Sequence, residues 1–273
     1  MVAMSLLALA ALALVLALLG QPRWQAWRRG QVAAQSFPVA WRRILRRRVP
    51  AVARLPFERQ QQLKKRMQVF LAETRFIGCA GLDVTEDMRV TVAAQACLLL
   101  LGRPEPVFER LREVLLYPGA FVVNRVSPGP AGLQRDERRV LAGESWTRGQ
   151  VILSWQDVLH GAALPHDGRN VVIHEFAHQL DQATGVANGA PALRSRPVAA
   201  QWSRVMQAEF DAFCARCEVG EPGLLDPYAA TDPAEFFAVA SEVFYEQPAE
   251  LAAERPALYA MLAEAYGVNP AQW

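Results

Sequence analysis

Histidine and cysteine are both scarce, with four copies of each among 273 residues. Four cysteines in a chain this long (Cys79, Cys97, Cys214 and Cys217) exclude a disulfide scaffold. Cys214-Ala-Arg-Cys217 has C-x-x-C spacing, but no second pair is present to complete a four-thiolate zinc site. The pair also lies in a stretch, Val198 to Val219, with helical spacing, so ordinary reduced cysteines are expected. A net charge of only +2 excludes a chain built as a whole to hold nucleic acid, and no direct nucleic-acid binding is expected. Internal repeats are missing, as is low complexity beyond the first twenty residues. Acidic side chains are missing from residues 1–57, which carry nine Arg and no Lys. The remainder holds 20 basic side chains against 27 acidic ones and is net acidic by seven.

The N-terminus and the rest therefore differ in character. Met1 to Gly20 has no charged side chain and one hydroxyl residue, Ser5. As a helix, twenty residues span about 30 Å, the thickness of a bilayer's hydrocarbon core. A secretory signal would need basic residues before the apolar run and a small-x-small site after it, and neither is present. The basic cluster follows instead, at Arg23, Arg28, Arg29, Arg42, Arg43, Arg46, Arg47 and Arg48. By the positive-inside rule the body of the protein would face the cytoplasm, with Trp24 and Trp27 in the interfacial belt. The expectation is a single-pass inner-membrane protein: residues 1–20 a transmembrane anchor, and residues 21–56 an Arg-rich juxtamembrane linker against anionic headgroups.

Beyond the linker the pattern predicts an α+β, predominantly helical fold with a small sheet. Residues 57–112 read as a helical N-terminal subdomain and 113–273 as a second domain. Phe57 to Glu73 has helical periodicity. Glu86 to Leu101 follows, with Thr85 as N-cap and an acidic first turn. Short β-type runs come next, at Val114–Tyr117, Ala120–Val123 and Gln150–Ser154. Helices are predicted over about 170–184, 198–217, 233–246 and 249–266.

One segment carries chemistry: Asn170-Val-Val-Ile-His-Glu-Phe-Ala-His-Gln-Leu-Asp181. Asn170 is a good N-cap, and the apolar residues give the helix a broad buried face. His174 and His178 stand one turn apart, so both imidazoles can grip one metal ion. Glu175 would reach the water that attacks a carbonyl and take its proton. Asp181, seven residues after His174, returns to the same face and could accept the second N–H of a ligand imidazole. A peptidase zinc needs a third protein ligand. Asp181 and Thr184 exclude the H-E-x-x-H-x-x-G-x-x-H type, and His160 and His166 are weak candidates in a loop-like stretch. A later helix opens at Asp232-Pro233 and carries Glu235 and Glu242. Glu235 also sits where a capping-box Glu would, and spacing alone does not choose between the two carboxylates.

These blocks resemble a known family. LLYPGAFVV, AGESWTRGQVILSWQDV and NVVIHEFAHQLD, continued by Tyr228-Ala-Ala-Thr-Asp-Pro-Ala-Glu235 to Glu242, are similar to the Mlc titration factor A family of bacterial zinc peptidases, over about 57–266. The catalytic half also resembles the anthrax lethal factor protease domain. The resemblance implies a gluzincin-type zincin fold with one zinc per chain, held by His174, His178 and Glu235. It implies Glu175 as general base, Glu242 as a carboxylate behind the ligands, and Tyr228 as the hydroxyl stabilising the developing oxyanion. It further implies peptide hydrolysis of aminopeptidase type by a zinc-activated water, and contact with a transcriptional repressor.

The leading expectation is thus a membrane-anchored zinc metallopeptidase, a peptide lying along Gln150–Ser154 as an edge strand. The alternative is a protein that sequesters a transcriptional regulator, with hydrolysis secondary or absent. The intact Glu175 favours the enzyme.

Overall fold

The computed structural model describes residues 20–104, 108, 110–128, 134–141, 143–146, 149–163, 166–183, 185–221 and 223–273. Residues 20–34 are helical and form α1. Then come α2 (Val39–Arg48), α3 (Phe57–Glu73), β1 (Arg75–Gly78), α4 (Glu86–Ala96), and strands β2 (Glu113–Tyr117), β3 (Phe121–Pro128), β4 (Gln134–Leu141), β5 (Gly143–Trp146) and β6 (Gln150–Ser154). The remainder is helical: α5 (Trp155–Ala163), α6 (Val171–Gln182), α7 (Arg196–Glu218), α8 (Pro233–Glu246), α9 (Pro248–Glu254) and α10 (Pro256–Tyr266).

The helix starts follow local chemistry. Thr85 accepts a hydrogen bond from the Met88 amide, Asn170 from Ile173, and Ser195 from Val198. Proline occupies the first turn of α7 to α10, where a missing N–H costs nothing. The stretch expected as one helix over 249–266 is two, because Pro256 cannot continue α9.

Four strands form the main sheet in the order β1-β2-β6-β5, with β1, β2 and β6 parallel and β5 antiparallel to β6. β3 and β4 pair as a separate antiparallel ribbon. Gln150–Ser154 is therefore a central strand, flanked on both sides, and cannot take up a peptide by strand addition. That expectation is corrected, and among the described residues the outer strands of this sheet are β1 and β5. Val114, Leu116, Val151 and Leu153 are buried in one hydrophobic core that runs from Phe37 to Val268. In it Phe176 of α6 packs against Phe70 of α3 and Phe108, at ring separations of 5.7 and 4.8 Å.

The transmembrane part of the expected fold class is corrected. Among the described residues no helix is long and apolar enough to cross a membrane, which overturns the single-pass inner-membrane assignment; residues 1–19, which prompted it, lie outside the described residues. The fold is predominantly helical with a small, mostly parallel sheet. The basic collar has protein partners: Arg29 pairs with Glu73 at 3.0 Å, and Arg47 and Arg48 with Asp87. Phe37, Ile44, Leu45, Val49, Val52 and Leu55 are buried in the common core, so the stretch read as a linker packs against the rest.

Leu45→Ala should accordingly cost about 2–5 kcal/mol, as truncation of a buried leucine does. Urea denaturation measures it, and an unchanged midpoint would mean that α2 does not contribute to the folded core.

Candidate metal centre

Two helices make the centre, and each is fixed by its own cap. Asn170 Oδ1 accepts from the Ile173 amide at 3.1 Å and starts α6. Val172, Ile173, Phe176, Ala177 and Leu180 then bury the inner face of that helix. His174 and His178, one turn apart, project together with ring centroids 4.9 Å apart. On α8, Asp232 accepts from the amides of Ala234 and Glu235, at 2.8 and 3.0 Å. This leaves the Glu235 side chain to face α6. Its Oε2 lies 3.0 Å from His174 Nε2 and 3.3 Å from His178 Nε2.

Glu242, two turns along α8, approaches the same imidazole from its other nitrogen, with Oε1 2.8 Å from His174 Nδ1. The two carboxylates thus have different duties. Glu235 sits where both Nε2 atoms converge, and Glu242 meets the second nitrogen of His174, where a carboxylate can fix the tautomer.

The donor set fits a metal ion. Ligand atoms of His174, His178 and Glu235 all lie within 4.8 Å of one another, and they are the nitrogen and oxygen donors that suit zinc. Burial by itself would depress the His174 pKa, but hydrogen bonds to Glu235 and Glu242 carry it well above its ordinary value. Burial also opposes ionisation of Glu235, yet His174 and His178 hold its carboxyl well below the usual range. Both shifts describe a site built around opposite charges held close together.

Glu175 is buried, and its Oε2 has no hydrogen-bond partner among the described residues. Burial pushes its carboxyl up to about 7, against the pull of His174 and His178. A cavity of about 470 Å³ opens beside it, lined among others by His174, Asp157, Arg169, Asp226 and Tyr228. Tyr228 lies in a 3-10 turn, Pro227–Ala230, with its ring centroid 6.2 Å from that of His174. The turn is held by Asp226, which accepts from the Tyr228 amide at 2.9 Å and pairs with Arg169 at 2.7 Å.

Asp181 has a duty that spacing did not indicate. Its carboxylate accepts the amides of Asn188, Gly189 and Ala190, at 3.2, 2.8 and 3.0 Å, while the bond expected of it, to a ligand imidazole, is made on His174 by Glu242. Gly189 has φ +76°, and a Cβ there would stand 2.3 Å from the Pro233 carbonyl oxygen. Asp181 therefore ties the end of α6 to a loop that abuts the start of α8 at Pro233, two residues before Glu235. Of the weak histidine candidates, His160 lies 3.8 Å from Asp167, and His166 is held by Glu246 at the end of α8, neither in the ligand group. Glu246 itself was missed, although it follows Glu235 and Glu242 at helical spacing on α8.

The chain matches the family described as glucose-regulated metallo-peptidase M90 over residues 24–267. It is 38% identical over 252 residues to an uncharacterised protein of Synechocystis sp., covering 92% of each chain. It is 34% identical over 247 residues to Mlc titration factor A of Cronobacter sakazakii, covering 89% of this chain and 91% of the relative. Mlc titration factor A of Klebsiella pneumoniae is 35% identical over 227 residues, 82% of this chain and 84% of the relative.

Replacing His174, His178 or Glu235 by Ala should abolish stoichiometric metal binding after dialysis. Glu242→Ala should keep one ion per chain but weaken it by about 10–100-fold, the usual effect of losing a carboxylate behind a ligand imidazole. Metal analysis and chelator competition read both, and equal affinity in Glu242→Ala would deny that carboxylate any part in holding the imidazole.

Proposed function

We propose that this chain, which belongs to the glucose-regulated metallo-peptidase M90 family, is a zinc-dependent peptidase that hydrolyses peptide bonds with Glu175 as general base. The observation that carries this reading is the buried, unpartnered Glu175 Oε2 beside two imidazoles and a carboxylate with the geometry of a metal ligand set. A purely structural metal site has no use for such a group.

Zinc held by His174, His178 and Glu235 would act as a Lewis acid toward the scissile carbonyl and acidify water. Glu175 takes a proton at its free oxygen as water adds to the carbonyl carbon. It returns that proton to the amide nitrogen as the C–N bond breaks, leaving a carboxylate and an amine. Glu242 keeps the His174 proton on Nδ1, so that Nε2 presents its lone pair to the cluster. Tyr228, which lines the cavity, is proposed to donate to the oxygen on which negative charge develops. The outer edge of β5, which packs near α6, is the strand on which an extended peptide is proposed to lie. Cleavage is proposed to be of aminopeptidase type, with Asp157 in the cavity wall as counter-charge for a free α-amine.

A second reading comes from the relatives named Mlc titration factor A: a protein that binds a transcriptional regulator, with hydrolysis secondary or absent.

Glu175→Gln separates the two. Zinc content should be unchanged, and kcat/KM on short peptides should fall at least about a hundredfold, the contribution of a positioned general base. Equal turnover in wild type and variant would remove Glu175 from the mechanism, and no turnover in either would favour the binding protein. Protonating Glu175 disables the base, so kcat/KM should fall on the acid side. Positive charge at the cluster favours the ionised form and moves that limb below the value of about 7 found for Glu175. A pH–rate profile checks the direction. Tyr228→Phe should lower kcat by about 10²–10³-fold with little change in zinc content.

A further inference from the structure

A chain of buried polar groups lies behind the ligand helix. Asn170 is almost wholly buried and uses every polar atom of its amide side chain. Its Oδ1 caps α6 at the Ile173 amide. Its Nδ2 donates to Glu246 Oε1 on α8 and to Gln95 Oε1 on α4, each at 2.9 Å. The backbone N–H of Asn170 donates to Glu242 Oε2 at 2.5 Å, and the other oxygen of Glu242 holds His174 Nδ1. Glu246 Oε2 in turn accepts from the His166 amide at 2.8 Å. Gln247 Nε2 donates to the His166 carbonyl at 2.8 Å, and Arg54 contacts the His166 ring.

We propose that Glu246 and Asn170 are positioning residues for His174: α8 grips the first turn of α6 at two points, through Glu246 on the Asn170 side chain and through Glu242 on its backbone. His174 lies one turn after Asn170. Any rotation of α6 about its axis, which would swing His174 away from Glu235, must break both bonds. A cap alone does not require this arrangement. Asp caps a helix as well as Asn does, but an ionised Asp has no N–H to give to Glu246 or Gln95. Both halves of the Asn170 amide are used, and the donating half serves the carboxylate of α8. The proposal rests on the zinc-site reading above.

The test is a donor–acceptor exchange on the full-length chain. Asn170→Asp keeps the cap but sets two carboxylates face to face. Glu246→Gln keeps the volume but leaves two donors opposed, either at Asn170 or at His166. Between positions 170 and 246 the double variant restores one donor, one acceptor and the original net charge, because the amide now on α8 donates to the carboxylate now capping α6; only the bond to Gln95 stays lost. Zinc affinity is read by chelator competition at about pH 8.5, above the value of about 7 to which burial pushes Glu246. Each single variant should bind zinc about tenfold more weakly or worse, within the range for groups behind metal ligands, and the double variant should return to within about threefold of wild type. Two singles with wild-type affinity, or a folded double variant as weak as the singles multiplied, would overturn the proposal. If a single variant does not fold, the double decides: folded with near wild-type affinity it upholds the pair, and unfolded or weak it refutes it. Absence of zinc from the wild type would instead overturn the metal-site reading itself.

Discussion

Two imidazoles and three carboxylates are packed into the narrow space between α6 and α8, and almost everything else in the molecule serves to keep them there. Removing such groups from water is costly unless charges of opposite sign and well-aimed hydrogen bonds compensate. Here the compensation is geometric. Glu235 meets both Nε2 atoms and Glu242 meets Nδ1 of His174, so the imidazole is addressed at each nitrogen by a different carboxylate. Glu175 is the one member with a buried oxygen left without a hydrogen-bond partner among the described residues. That imbalance is what sets Glu175 apart and underlies its proposed role as general base.

Helix periodicity explains why two elements suffice. On α6 the two histidines stand four residues apart and on α8 the two carboxylates seven, so both sets return to the facing surface. The remaining requirement is that the helices keep their relative depth and rotation. The aromatic packing of Phe176 against Phe70 and Phe108 sets one side. Asp181, through Gly189 and Pro233, sets the other.

How much of this was legible in the sequence depended on whether the information was local. The limits of α3, the caps at Thr85, Asn170 and Asp232, and the placing of His174, Glu175 and His178 on one helix all follow from spacing and short-range chemistry. The choice between Glu235 and Glu242 did not, because the two occupy equivalent positions on one face, and only the crossing of α6 and α8 decides which imidazole nitrogen each meets. The same holds for the arginines at 29, 47 and 48. Their carboxylate partners lie about forty residues further along, so a run of one sign looked lipid-facing. The central place of β6 was better advertised: Val151-Ile152-Leu153 is a continuous apolar run, which suits a strand covered on both sides more than one at an edge.

The contact between Gly189 and Pro233 has a consequence for how the centre tolerates change. A residue with no side chain, in the loop that follows α6, lets that loop lie directly against the backbone that opens α8. One added methyl group there would meet a backbone oxygen rather than a side chain that could turn aside. A larger residue there would press on the start of α8 two residues before Glu235, so a substitution outside the cluster can reach the placing of that carboxylate.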